Sequence, residues 1–367
     1  TNKSIINWDS FSIYDKGRVD FNMPSSISSS LNRVTGSTPS SIAGQLNSNG
    51  KVLLINPNGV MITKNGVVKT GSFTASTLDI NNEDFLKDKM NFIGNGKSKS
   101  VQNNGKIIMG DKGYGALLGG QISNAGIVSA RLGKIALGAG EKITLDFVGD
   151  GLMSVSVPSE KLGIIKDING NTLKSLISNS GLLKANGGII KLSAATAKNL
   201  SRSSVNIGSS GLIIARSVND KTGKVVIGSP TNEKIKIAGK IDVSGHRSLT
   251  PSGTIIVRGR SVTHNGKIFA RGGTGGKVNI ISKDTLKLDG SIFAQGTKEK
   301  GGSVLFLSEK SISSTPKTVV DVSGANKGGR IRSLAKTTNI SSGTFKSNSE
   351  GGKGGNIDLT GDRVEIS

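Results

Sequence analysis

The sequence predicts an all-β solenoid, a parallel β-helix of three-strand coils. The first observation behind this is a repeat near the C-terminal end. A glycine pair followed by an apolar alternation reads Gly275-Gly276-Lys-Val-Asn-Ile, Gly301-Gly302-Ser-Val-Leu-Phe, Gly328-Gly329-Arg-Ile-Arg-Ser and Gly354-Gly355-Asn-Ile-Asp-Leu, at steps of 26, 27 and 26 residues. Self-similarity at such a period marks stacked supersecondary units. The second observation is that one period holds three short runs, Thr285-Leu-Lys-Leu-Asp-Gly290, Ser291-Ile-Phe-Ala-Gln-Gly296 and Gly302-Ser-Val-Leu-Phe-Leu307. Their apolar residues alternate with period two, as in strands. The third is composition: Gly supplies 52 of 367 residues and aromatics only 4%. That glycine share is about twice the usual value of roughly 7%, and it suits many tight turns between short strands.

From the N-terminus, the first eighty residues stand apart. They hold the only Trp, Trp8, together with Tyr14, Pro24, Pro39 and Pro57. A solenoid exposes core and strand edges on its first coil unless something covers them, and Trp8, Phe11, Ile13, Val19 and Phe21 are the residues expected to build such a cap. The run Asn47-Ser-Asn-Gly-Lys-Val-Leu-Leu-Ile55 predicts a strand entering a four-residue turn, Asn56-Pro57-Asn58-Gly59. Pro57 presets φ at the second position, Asn56 can accept from the backbone, and Gly59 fits the fourth position of a type I turn. Residues 82–100 break the pattern and are expected to form an extra-helical loop or a short helix; the fold as a whole is expected to carry loop or hairpin insertions outside the solenoid.

Weak copies of the repeat begin at Val101-Gln-Asn-Asn-Gly105 and Gln121-Ile-Ser-Asn-Ala-Gly126. Stronger ones follow at Lys234-Ile-Lys-Ile-Ala-Gly239, Lys240-Ile-Asp-Val-Ser-Gly245, Ser261-Val-Thr-His-Asn-Gly266 and Lys267-Ile-Phe-Ala-Arg-Gly272. In the last of these Ile268 and Ala270 are expected to point inward. The Asn-Gly and Asp-Gly pairs at the run ends predict positive φ at the corners. The organisation read from this pass is one continuous solenoid, with the cap and first coils in 1–80 and further coils in 81–367. The start at Thr1 and the end inside the strand pattern Arg363-Val-Glu-Ile-Ser367 predict a trimmed piece of a longer solenoid. A leucine-rich repeat is not supported, because no Leu-x-x-Leu-x-Leu framework recurs. A calcium-binding roll is excluded at Gly351-Gly-Lys-Gly-Gly-Asn-Ile-Asp, where Asn356 and Asp358 miss the required spacing.

Charge and chemistry bound the function. Lys and Arg number 48 against 25 acids, a net charge of +23. The lysines are scattered, which suits a solvated exterior that blunts strand edges. The longest basic stretch, Lys97–Lys99, has no aromatic partners, so nucleic acid is not an expected partner. No Cys is present, which removes disulfides, thiolate metal sites and cysteine nucleophiles. Parallel β-helices also carry sugar-cleaving enzymes, which need clustered carboxylates. Here the acids are dispersed, and Asp242, Asp289 and Asp321 each read as outward corners at strand ends. His246 and His264 lie 18 residues apart; solvated turn histidines are expected rather than a paired site. Gly272-Gly-Thr-Gly-Gly-Lys277 is followed by Val278 where a phosphate loop needs Ser or Thr. The expectation is therefore a non-enzyme with no catalytic residue, metal or cofactor.

Several words in order carry a resemblance. Asn7-Trp8-Asp9-Ser10-Phe11-Ser12-Ile13, Leu31-Asn32-Arg33-Val34-Thr35-Gly36, Ile42-Ala43-Gly44, Ile55-Asn56-Pro57-Asn58-Gly59-Val60 and Gly71-Ser-Phe-Thr-Ala-Ser-Thr-Leu-Asp79-Ile80 resemble the N-terminal secretion domain of two-partner-secretion exoproteins. These are the filamentous-haemagglutinin and high-molecular-weight-adhesin type. The resemblance implies a right-handed helix with an N-terminal cap. It implies export through the periplasm to the cell surface or medium, by an outer-membrane β-barrel transporter whose periplasmic domains bind the polypeptide. It places the secretion motif on Asn56, Pro57, Asn58 and Gly59, with Asn32 as a further shared position. The chain lacks the Asn-Pro-Asn-Leu word that part of the family carries, which points to the adhesin-type branch. The expected function is the secretion and folding module of a large adhesin, with host-cell glycans or surface receptors as partners of the full-length protein. The alternatives are a secreted β-helix that binds or degrades glycans, or the same module of a cytolysin or contact-dependent toxin.

Overall fold

The computed structural model describes residues 2–96, 98–146, 152–156, 175–195, 203–229, 233–245 and 250–366. The chain divides into two compact units, Thr1–Lys184 with Lys191–Ser204, and Ala185–Ile190 with Val205–Ser367.

In the first unit the coils build three parallel stacks, the first coil reaching the second stack only through the Ile13–Ile42 bridge. One stack runs through Lys3–Trp8, Ser29–Val34, Lys51–Ile55, Ser72–Ser76, Tyr114–Gly119 and Lys134–Ala139. A second runs through Ser40–Ile42, Val60–Ile62, Ser100–Asn103, Gln121–Asn124 and Ser175–Asn179. A third runs through Arg18–Phe21, Gln45–Ser48, Val67–Thr70, Lys106–Met109, Ile127–Ser129 and Leu182–Lys184. Ser29 pairs with Lys51 and Lys51 with Ser72, so these coils are 22 and 21 residues long. They are shorter than the C-terminal period. Each coil satisfies the backbone of the next. Inside, like side chains stack: Leu46, Val68, Ile107, Val128 and Leu183 share one register column and are fully buried.

An insertion lies outside these stacks. Asp79–Ile80, Met90–Ile93, Lys142–Asp146 and Leu152–Ser156 form an antiparallel sheet. The helix Asn82–Leu86 precedes its second strand, with the Asn81 side chain accepting from the Asp84 N–H at the N-cap. The expected loop or helix in 82–100 is thus a helix followed by a strand. Phe85, Phe92 and Ile143 pack with Leu31, Leu53 and Leu118 of the first stack. That stack is therefore covered on its outer side, and Ser72–Ser76 and Tyr114–Gly119 are buried along their whole length. Burying Phe85 and Phe92 fully contributes about 2 kcal/mol each to this docking.

The second unit continues the same rule with longer coils. Lys277, Ser303, Arg330 and Asn356 pair in sequence, giving the 26, 27 and 26-residue steps. Ile268 and Ala270 are fully buried, as expected. Predicted short strands fuse in pairs at two places: Thr254–His264 and Lys277–Leu288 each run as one strand round a corner, with a register shift between Gly259 and Ser261.

The corner glycines correct one expectation. Gly105, Gly126, Gly266 and Gly290 do not have positive φ. Close stacking requires them instead: a Cβ on Gly126 would sit 2.1 Å from the Gly105 carbonyl oxygen, and one on Gly266 would sit 2.1 Å from that of Gly239. The glycine pairs have the same origin. A Cβ on Gly301 would meet the Val322 oxygen of the following coil at 1.7 Å, and one on Gly302 the Gly276 oxygen of the preceding coil at 2.3 Å.

Candidate functional site

The turn Asn56–Gly59 leaves the strand Lys51–Ile55 and enters Val60–Ile62. The Gly59 N–H donates to the Asn56 carbonyl at 3.0 Å, closing the turn, and Gly59 has φ 123°. A side chain at that position would be strained. Asn56 is fully buried. Its Oδ1 accepts from the Asn58 backbone N–H at 2.9 Å and from Asn58 Nδ2 at 3.2 Å. Its Nδ2 donates to the Thr38 carbonyl at 2.9 Å and to Ser40 Oγ at 3.0 Å. Asn58 Nδ2 reaches the Gly36 carbonyl at 2.8 Å. The turn is therefore bonded, side chain by side chain, to the matching turn of the preceding coil. Pro57 and Asn58 stay half-buried at the surface.

Asn32 does the equivalent work in the first stack. It is fully buried beside Leu54. Its Oδ1 accepts from Trp8 Nε1 at 3.1 Å, and its Nδ2 donates to Ser30 Oγ at 3.2 Å and to the Leu53 carbonyl at 3.4 Å. One amide thus ties three successive strands. Trp8 stands edge-on to Phe11 with centroids 5.4 Å apart, and Phe11 stacks on Phe21 at 6.5 Å. Phe11 and Ile13 are buried, while Trp8, Val19 and Phe21 are half-buried. At the surface of the third stack, the Arg18 guanidinium, then the Asn47 amide, hold the Asp20 carboxyl below the usual carboxylate range.

The five residues singled out from the sequence thus occupy two places in adjoining coils. Their partners Ser40, Gly36 and Trp8 were not foreseen as partners. Nor was Arg33, which donates to Asp79 at 2.9 Å and to the Ile80 carbonyl at 2.7 Å, joining the first stack to the insertion. Arg33 and Asp79 lie in two of the matched words, but nothing in either word shows that they meet.

The dispersed acids are held in corners. Asp242 Oδ1 accepts from the Ser244 N–H and Asp321 Oδ1 from the Ser323 N–H. Asp289 accepts from Thr315 Oγ1. Asp242 corrects the expectation of an outward corner: it is buried. Burial opposes its ionisation, but Arg216 and the Ser244 donors outweigh it and hold its carboxyl below the usual range. His264 corrects the expectation of a solvated turn: it is fully buried, with Nε2 3.4 Å from the Ser291 carbonyl oxygen, and burial pushes its pKa down to about 4. His246 lies outside the described residues. Among the described residues no group of three or more His, Cys, Asp and Glu side chains converges as a metal site.

This parallel β-helix matches the fold of a solved secretion domain. A family model described as the TPS (two-partner secretion) secretion domain matches residues 1–243, and the chain belongs to that family. The crystal structure of the HMW1 secretion domain from Haemophilus influenzae superposes with a TM-score of 0.65 at 27% identity, covering 100% of this chain and 92% of that one. Two curated relatives are both named heme/hemopexin-binding protein. One, from Haemophilus influenzae strain Rd, is 31% identical over 255 residues, covering 66% of this chain; the other, from Haemophilus influenzae, is 25% identical over 310 residues, covering 77%. The chain spans 26% and 31% of their lengths. Domains of this family belong to exoproteins secreted through the outer membrane, and an outer-membrane transporter partner recognises them.

Proposed function

We propose that this chain is the N-terminal secretion and folding module of a large surface-exposed exoprotein, with residues 1–80 carrying the determinants of export. In this reading Asn56, Pro57, Asn58, Gly59 and Asn32 form the secretion motif. The observation that carries it is burial. Asn56 and Asn32 are fully buried and bonded on both sides, so a transporter could read their side chains only before the coils close. Periplasmic polypeptide-binding domains on the transporter would meet the unfolded motif. Folding outside the cell would then hide it and begin at these coils, because each new coil needs only its predecessor as a template. The absence of Cys suits passage of an unfolded chain.

Two readings of the parent protein follow from different observations. The matched words favour an adhesin. The names of the curated relatives favour a protein that binds heme or hemopexin. The test of the module is secretion of this chain with and without its transporter, comparing wild type with Asn56→Ala. Export that depends on the transporter and is lost in the variant supports the module. Equal export of both, or export without the transporter, refutes it.

A further inference from the structure

The glycine pairs of the second unit do more than allow coils to stack. Gly275-Gly276, Gly301-Gly302 and Gly328-Gly329 form the floor of an open groove of about 550 Å³ that crosses successive coils. Lys277, Lys300, Lys327 and Arg330 line it, and no carboxylate and no aromatic side chain does. Lys300, Lys327 and Lys353 are bridged in parallel register, one coil apart. Neighbouring coils are separated by ~4.8 Å, so these exposed lysines leave the backbone in a row at that interval.

Such a row is electrostatically unfavourable, since like charges directly opposite each other destabilise a sheet. In this unit a cation often meets an acid about one coil away: Arg216 meets Asp242, Arg260 meets Asp284 and, at the groove itself, Arg330 meets Asp358. Among the described residues, Lys277, Lys300 and Lys327 have no such partner. Glu299, beside Lys300, is bonded to Thr274. The groove therefore offers unpaired cations over a flat backbone floor, with Ser303 and Asn356 as neutral hydrogen-bonding groups.

We propose that this groove binds a linear acidic polysaccharide lying along the coil-stacking direction, with one anionic group facing each lysine. One coil advances the chain by about the length of one sugar unit, so carboxylates or sulfates on successive units meet successive rungs. Single-stranded nucleic acid fits less well, because its recognition uses aromatic platforms that the groove lacks. The proposal concerns residues of the second unit, whereas the export reading uses residues of the first, so either fails without the other.

The test is calorimetric titration of the 367-residue chain with size-defined hexamers of a 1,4-linked uronate and of a sulfated glycan. Lys300→Gln with Lys327→Gln removes two rungs. Lys236→Gln with Lys287→Gln removes the same charge from exposed, register-matched positions on another stack. The groove pair should weaken binding by about tenfold, the size expected of two exposed ion pairs, and the control pair by less than about twofold. Equal losses would assign the effect to net charge and overturn the proposal. So would no binding of either hexamer, or a single-stranded DNA of equal charge binding as tightly with the same dependence on Lys300 and Lys327.

Discussion

Replacing Asn56 by alanine removes four hydrogen bonds at once: two donated by Nδ2 to Thr38 and Ser40, and two accepted by Oδ1 from Asn58. Their worth depends on what water can restore. Thr38 is exposed and Asn58 half-buried, so their orphaned groups regain solvent partners, whereas the Ser40 hydroxyl is buried. A net value of about 1 kcal/mol per bond, discounted for rehydration, puts the loss at about 2–3 kcal/mol. Trp8 is the only Trp and lies in the same coils, bonded to Asn32. Its fluorescence therefore reports these coils even if the rest of the solenoid unfolds separately. With a urea m-value of about 2 kcal/mol/M, the Trp8 midpoint should fall by about 1 M. Asn56→Asp should cost at least as much, because it sets a buried charge against the Thr38 carbonyl. A midpoint lowered by less than about 0.2 M would refute the structural account of this residue. If secretion were nonetheless lost, the transporter would be reading the side chain itself.

Other perturbations follow from the same geometry. The folded His264 imidazole stays neutral down to about pH 4, whereas the unfolded one protonates near 6.5. Its contribution is therefore complete above pH 6.5 and declines as pH falls towards 4, by about 3 kcal/mol in all. His264→Leu should flatten that part of the stability profile measured by urea titration; an unaltered profile would contradict its burial. Gly301→Ala, whose Cβ would lie 1.7 Å from the Val322 oxygen, should destabilise the second unit by about 3 kcal/mol. Gly351→Ala has its nearest neighbour at 3.8 Å and should stay within about 0.5 kcal/mol of wild type; thermal melts of the two variants should differ accordingly. Arg33→Ala, which breaks the bonds to Asp79 and Ile80, should loosen the insertion by about 1–2 kcal/mol. Faster amide exchange in Met90–Ile93 would register it, and unchanged exchange would count against the contact.

The fold class was legible because a solenoid writes its geometry into sequence at a fixed interval. Runs such as Lys267-Ile-Phe-Ala show strand alternation, and the glycine pairs mark each return. The Asn56 turn was legible because Pro and Gly have few other uses in that order. The insertion was legible only as a break in the pattern over 82–100; the pairing of its antiparallel strands was not. Met90-Asn-Phe-Ile93 alternates like any solenoid strand, and its antiparallel partner Lys142–Asp146 lies some fifty residues onward. Only tertiary packing separates the two cases. His264 was misread for a related reason: in Ser261-Val-Thr-His-Asn-Gly266 it occupies an inward position of the alternation, yet its polarity and the adjoining Asn-Gly suggested solvent. The corner glycines were recognised, but their cause was not, since the approach of one coil to another leaves no local mark. Asn32 illustrates the same limit. Its place in a matched word marked it as notable, while its bond to Trp8 needed coordinates.

The nearly even length of uninterrupted coils, 21–22 residues from Ser29 to Ser72 in the first unit and 26–27 from Lys277 to Asn356 in the second, has a kinetic consequence. Ser29 meets Lys51 and Lys51 meets Ser72, so each pairing closes a loop of nearly the same size however many coils precede it. Loop-closure entropy grows with the logarithm of loop length, and folding slows as contacting residues lie further apart in sequence. Added coils leave that separation unchanged, so a parent chain several times longer would meet no steeper entropic barrier at its last turn than at its second. Two excursions are exceptions. Val60 meets Val101 across 41 residues and Ile122 meets Ile177 across 55, instead of about 21, which raises the closure cost by about 0.6 and 0.9 kcal/mol. Those steps, the second above all, are where propagation should hesitate.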